Sequence, residues 1–234
     1  MKKQGVVHPK FWFRHWRVRR ALVGYPLYDV PYKTQEADLT ETQVRENFDY
    51  FLRVRQERLA FFFDWLRRKF GVAASLTPEG VLAIERWVRD FGGGAIESTA
   101  CDLRIFATYT PAWTDSRAGY NVMIDLGIFI GEYLIWRRPE LYWEIYRGHE
   151  IEPVSFRSPT YLKPIIDGMP RLWKDDTFRT GYGAIAGACQ KSLIGSDGFR
   201  DRSNSFVFHI KQSLYFSRLP DDVVVLGESK NEPL

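Results

Sequence analysis

One stretch constrains this chain more than any other: residues 124–143, IDLGIFIGEYLIWRRPELYW. Up to Trp136 it is apolar almost all round, interrupted by two carboxylates, Asp125 and Glu132, and two glycines, Gly127 and Gly131. A helix that is hydrophobic on every face belongs inside a protein. Its carboxylates are therefore expected to be buried, and a buried acid has to be hydrogen-bonded or paired. The spacing predicts a helix over about 120–136, stopped by Pro139, whose ring cannot continue it. The core should form around this element.

The chain is large enough to enclose such a helix. With 234 residues it can bury a substantial core. A hydrophobic share of 45% beside 26% charged residues excludes a disordered class, and the 16% aromatic share points to packing by large rings. The two cysteines, Cys101 and Cys189, form no CxxC, which argues against a disulfide framework or a zinc cluster. No apolar run follows the opening MKKQG, so no secretory signal is read there, and residues 122–136 are too short to cross a bilayer. The expectation is a soluble, cytoplasmic protein with no membrane span.

The formal net charge of +4 is unevenly placed. Residues 1–20 contain seven basic residues and no acid, which leaves 26 basic against 29 acidic residues in the body, a net −3. A body built for general nucleic-acid binding would carry the opposite sign.

The flanking elements are legible in part. Thr40, followed three residues later by Gln43, forms a capping box. Apolar residues then recur at helical spacing at Val44, Phe48, Phe51, Leu52, Leu59, Phe62, Phe63, Leu66 and Phe70, until Gly71 ends the helix. Thr77 and Pro78 open a second helix carrying Val81, Leu82, Ile84, Trp87, Val88 and Phe91, closed by Gly92-Gly93-Gly94. Residues 11–20 (FWFRHWRVRR) read as a strand or an arm, and residues 24–38, with Pro26 and Pro31, as a connecting loop. After the central helix, LYWEIYRG and PVSFR alternate like two strands around the polar turn Gly148-His149-Glu150. Further on, GAIAGACQKSLI reads as a short helix, SFVFHIKQSLYF as a strand and residues 227–234 as a loose tail. Helices first and short antiparallel strands later make this an α+β fold, expected to be a single domain over 1–234 with a basic aromatic arm at 1–20.

Asp125 and Glu132 are seven residues apart. That spacing returns to within about 20° of one helix face, with the Cα atoms roughly 10 Å apart. Two uses fit this placement. The acids can act on opposite sides of a substrate as the acid/base pair of a hydrolase, or they can anchor the helix by accepting bonds from buried donors. The flanking glycines favour the second use, because glycines at i and i+4 let another backbone approach closely. Arg55 supplies a partner: it falls between Leu52 and Leu59 on the apolar stripe of the long helix, where the period calls for a hydrophobe. A lone charge there would cost several kcal/mol. A structural lock of Arg55 with Asp125 or Glu132 is therefore expected.

Residues 10–20 interleave Phe11, Trp12, Phe13 and Trp16 with five basic side chains. Trp12, Arg14, Trp16, Arg17 and Arg20 are the expected contact residues, since Trp and Arg dominate interface hot spots. A protein partner fits best; nucleic acid is the alternative, with rings to stack bases and cations to meet phosphates. The remaining motifs are weak. Residues 181–187, GYGAIAG, have one residue too many for a dinucleotide loop. His8, His15, His149 and His209 show no metal-ligand spacing, so no metal and no cofactor is expected.

Thr77-Pro78-Glu79-Gly80, Leu126-Gly127, Gly131-Glu132 and Trp143 together form a pattern. A threonine-proline-capped helix is followed by an LG-x3-GE helix and then by a tryptophan strand. In this the middle third of the chain resembles uncharacterised bacterial proteins. The resemblance implies a binding role, of the immunity or accessory kind, rather than catalysis. The oligomeric state is left open.

Overall fold

The computed structural model of the chain describes residues 9–34, 38–95, 118–147, 162–168 and 206–218. The architecture is α+β, as the order of elements predicts: helices dominate the amino-terminal half and a short antiparallel sheet follows. The described chain begins with helix α1 (Pro9–Ala21), then a loop leads to α2 (Glu41–Phe70), the longest described element at 30 residues. Thr40 caps α2 as its sequence predicts. Its hydroxyl accepts from the Gln43 amide, and the Gln43 side chain accepts from the Thr40 amide at 2.9 Å. At the other end Gly71 turns left-handed, with φ of 71°, so that its amide reaches the Arg67 carbonyl at 3.0 Å. Glycine adopts that backbone without strain.

Helix α3 (Pro78–Phe91) starts at Thr77, whose hydroxyl accepts from the Gly80 amide at 3.2 Å. It runs directly into a buried 3-10 turn, Gly92–Ala95. The glycines do more than end the helix. A Cβ on Gly94 would lie 2.8 Å from the Val18 Cβ and 2.9 Å from the His15 Cα, so α1 crosses there in near-backbone contact. Helix α4 (Gly119–Arg137) is the central apolar helix, and Tyr120, Met123, Phe129 and Tyr133 on its various faces are all at most 2% exposed. Burial on every side is what the all-round hydrophobic sequence requires.

Strand β1 (Tyr142–Ile145) pairs antiparallel with β2 (Pro164–Asp167), Trp143 opposite Ile166 and Glu144 opposite Ile165. The first strand is the predicted LYWEIYRG segment. Among the described residues its partner is PIID; the expected PVSFR, the polar turn, and the predicted GAIAGACQKSLI helix and tail lie outside the described residues.

Two short segments, one read as a strand or an arm and the other as a strand, are helices. Residues 11–20 belong to α1, and SFVFHIKQSLYF contains α5 (Phe206–Phe216), which packs on α3 and α4. In both, tertiary burial at a helical period decided the outcome over the local β-propensity of Phe, Val and Ile. Ile210 and Leu214 are fully buried while Val207 lies half-buried in the same row. Val18, Ala21 and Leu22 do the same for α1. The core is held largely by rings: Trp65 meets Trp87 edge-on at 5.7 Å, Phe70 at 5.1 Å and Tyr25 at 5.0 Å. Each such edge-to-face pair contributes about 0.5–1.5 kcal/mol beyond the burial of its area. The Trp65 indole also donates to the Ala21 carbonyl at 3.0 Å, tying the end of α1 to α2.

Candidate functional site

Asp125 is completely buried between α4 and α2. Its arginine is Arg58, not Arg55. The Arg58 Nε donates to Asp125 Oδ1 at 2.6 Å and Nη2 to Oδ2 at 3.0 Å, and the Tyr25 hydroxyl donates to Oδ2 at 2.7 Å. The rest of the guanidinium is used too: Nη1 donates to the Leu27 carbonyl at 2.9 Å, and its plane lies over the Tyr28 ring, 5.4 Å from the centroid. The adjacent turn of α4 holds the same loop, since Asn121 Oδ1 accepts from the Tyr28 amide at 2.7 Å. This cluster thus binds α2, α4 and the 25–28 loop into one unit.

Burial is the dominant influence on these groups. It pushes the Asp125 carboxyl up to about 6, against the opposing pull of the Arg58 charge and the Tyr25 hydrogen bond. Burial and the neighbouring carboxylate raise the Tyr25 phenol well above its ordinary range, so it remains a proton donor at neutral pH. For Arg58, burial opposes the charge, but the Asp125 carboxylate outweighs it and the guanidinium is held more firmly protonated than usual.

Glu132, two turns along α4, is where Arg55 is placed. Arg55 Nε donates to Glu132 Oε1 at 2.9 Å, and the Arg55 guanidinium also reaches the Leu52 carbonyl. The Trp143 indole donates to Oε1 at 2.8 Å and the Gln56 amide to Oε2 at 2.6 Å. Gly131 makes room for this. A Cβ there would overlap the Trp143 six-membered ring, so the glycine is a notch for the indole of β1. A backbone was expected to approach the two glycines; at Gly131 the neighbour is instead the Trp143 side chain, and Gly127 is only half-buried. The expected lock therefore resolves into two centres, Arg58–Asp125 and Arg55–Glu132. Every oxygen of both carboxylates accepts a hydrogen bond from the protein.

Sequence reasoning missed Arg58 and Tyr25. A signal for Arg58 was present: Val44, Phe51, Arg58 and Trp65 recur every seven residues and all four are buried. An arginine in a row of core positions marks a buried carboxylate on the facing helix. Tyr25 sits on an irregular loop, where no period could have placed it.

Helix α1 divides the expected contact residues into two groups. Arg14 and Arg17 turn toward the body. Arg14 pairs with Asp90 at 3.2 Å, and Arg17 donates to the Lys69 carbonyl at 2.7 Å while lying over the rings of Phe70 and Phe91, at 5.2 and 5.6 Å. Trp16 and Arg20 turn outward. Trp16 is 44% exposed and Phe13 56% exposed; the two rings stack at 5.9 Å, and the Arg20 guanidinium covers the Trp16 ring at 5.4 Å. The side chain of Trp12 lies outside the described residues. Burial and then the charge of Arg19 hold the His15 imidazole below its ordinary value, which keeps that ring uncharged at neutral pH.

Among the described residues, no three histidine, cysteine or carboxylate side chains converge as a metal ion would need, and no helix is long and apolar enough to cross a membrane. No known protein family, curated protein or solved structure matches this chain.

Proposed function

We propose that this chain is a non-catalytic, macromolecule-binding protein of the cytoplasm, an immunity-type or accessory factor acting by steric occlusion or assembly, and that its partner is a protein. One observation carries the reading: α1 is bolted to the body by Arg17, Val18 and Trp65 while it presents the stacked row Phe13–Trp16–Arg20 to solvent. Rigid, partly exposed Trp and Arg side chains are the commonest interface anchors. A hydrolase using Asp125 and Glu132 receives no comparable support, because Asp125 is sealed and its lone pairs are taken by Arg58 and Tyr25.

The test compares the full-length protein with Trp16→Ala and with Leu82→Ala, an exposed apolar position on α3. Each is used to recover partners from host cells, with quantitative mass spectrometry as the readout. A protein retained by the parent and Leu82→Ala but lost by Trp16→Ala is the expected result. Identical protein sets from all three would overturn the reading. The seven cations of residues 1–20 favour nucleic acid as the second reading. It gains the assignment if single-stranded oligonucleotides bind at low salt and affinity falls steeply, by about a hundredfold or more, between 50 and 200 mM salt.

A further inference from the structure

The outward residues of α1 and the turn after it follow a regular spacing: Phe13, Trp16, Arg20 and Val23, at intervals of three, four and three. Val23 is the most exposed large hydrophobe of the described residues, at 83%. From Phe13 to Arg20 the row runs roughly 10 Å at about 1.5 Å per residue, and intervals of three and four keep it on one face of the helix, with Val23 following in the turn. The opposite face is already consumed, since Val18, Ala21 and Leu22 are buried against the body. At 100° per residue Arg17 falls on one flank of the outward row and Arg19 on the other. Both are exposed residues. On the Arg17 side the flank continues into the last turn of α2, whose Lys69 is exposed. No acid among the described residues forms an ion pair with Arg19, Arg20 or Lys69.

We propose that α1 is a docking helix that lies lengthwise in an apolar groove of a partner protein whose two rims are acidic. This rests on the reading that the outward row meets a protein, and it specifies the chemistry of that protein. The groove takes Phe13, Trp16 and Val23 as anchors, in the manner of helix-in-groove recognition. The acidic rims meet Arg19 on one side and Lys69 on the other, which speeds encounter and fixes the direction of the helix. Nucleic acid fits less well, because Trp16 is engaged by Phe13 one turn before it and Arg20 one turn after it, and the body carries net −3. A lipid surface fits less well too. An interfacial helix keeps its cations on the face away from the apolar row, whereas here Arg20 sits within the row and the other face is packed.

The experiment uses the full-length chain in cells of its native host, with the photo-reactive amino acid p-benzoylphenylalanine replacing Phe13 and, as control, Leu82. After irradiation the expected product is one protein adduct specific to position 13, mapped to an apolar segment flanked by aspartate and glutamate. The purified pair should lose about tenfold or more in affinity between 50 and 300 mM salt. A doubly substituted Arg19→Glu, Arg20→Glu chain of unchanged Tm should bind at least about tenfold more weakly. An adduct on a neutral or basic segment, or an affinity indifferent to salt, overturns the acidic groove and leaves the protein-binding reading intact. An adduct on nucleic acid or lipid, or no adduct above the Leu82 control, overturns both.

Discussion

Arg58–Asp125 and Arg55–Glu132 join the same two helices with the same functional groups, yet they are different devices. The first is sealed, its arginine and carboxylate side chains 7% and 0% exposed; the second is at the margin, at 27% and 11%. Removing charges from water costs several kcal/mol per ion, and only excellent geometry with full hydrogen bonding compensates for it. The sealed pair meets that demand in part, with Tyr25 and the loop carbonyls around it, while burial still raises the Asp125 carboxyl. The marginal pair needs less and shares its carboxylate with Trp143 and Gln56. One centre fixes the interior; the other registers the sheet against the helices.

The comparison can be broken at several points. Asp125→Ala leaves Arg58 charged in the interior and should lower unfolding free energy by about 3–5 kcal/mol, read by urea titration. An Arg58→Met, Asp125→Leu pair should regain much of that loss, because a hydrophobic replacement removes both desolvation penalties. If Asp125→Ala costs no more than a surface substitution, the sealed centre is not what holds α2 to α4.

Acidity probes the same centre. The folded Asp125 carboxyl, at about 6, holds its proton more tightly than the unfolded chain, whose carboxyl titrates near 4. Its contribution is therefore fully present below about pH 4 and is lost as pH rises through about 6. Relative to Asp125→Asn, which has no such proton, the parent should gain on the order of 2–3 kcal/mol between pH 7 and pH 4. Parallel stability curves for the two proteins would refute this. The exposed acids paired with arginine, Glu41 and Asp64, are lowered by their partners and slope the other way in both proteins, so the difference isolates Asp125.

Gly131→Ala sharpens the account of the marginal centre. The new methyl forces the Trp143 ring off Glu132, for an expected loss of about 1–3 kcal/mol. The indole fluorescence of Trp143 should shift with it, and an unchanged spectrum and stability would remove the notch from the explanation. The smallest effect is expected for Arg55→Leu, about 1 kcal/mol, because Gln56 and Trp143 still satisfy Glu132. A loss as large as that of Asp125→Ala would erase the distinction between the two centres.

Much of this fold was legible because long helices advertise themselves. Thr40 with Gln43, Thr77 with Pro78 and the all-round apolar run of α4 each state a boundary or a face in local chemistry. Helices α1 and α5 were not, because they are short and their Phe, Trp and Val residues alternate like a strand over the few positions available. The pairing of β1 with β2 depends on long-range register, which no local pattern of PIID declares. For the candidate site, a buried lock on the acids was readable from Arg55, but its main partner was hidden. Arg58 stands one turn further along a run rich in arginine, and only its place in the seven-residue row of Val44, Phe51 and Trp65 marks it as the one that turns inward.

The Arg17 guanidinium, capping the Lys69 carbonyl in the last turn of α2 while resting on Phe70 and Phe91, has a mechanical consequence. Whatever grips the outer side of the first helix takes hold of a part already immobilised, so little ordering entropy remains to be surrendered at the moment of capture. Loosening that single clasp should leave the gripping residues untouched and still shorten the lifetime of the complex.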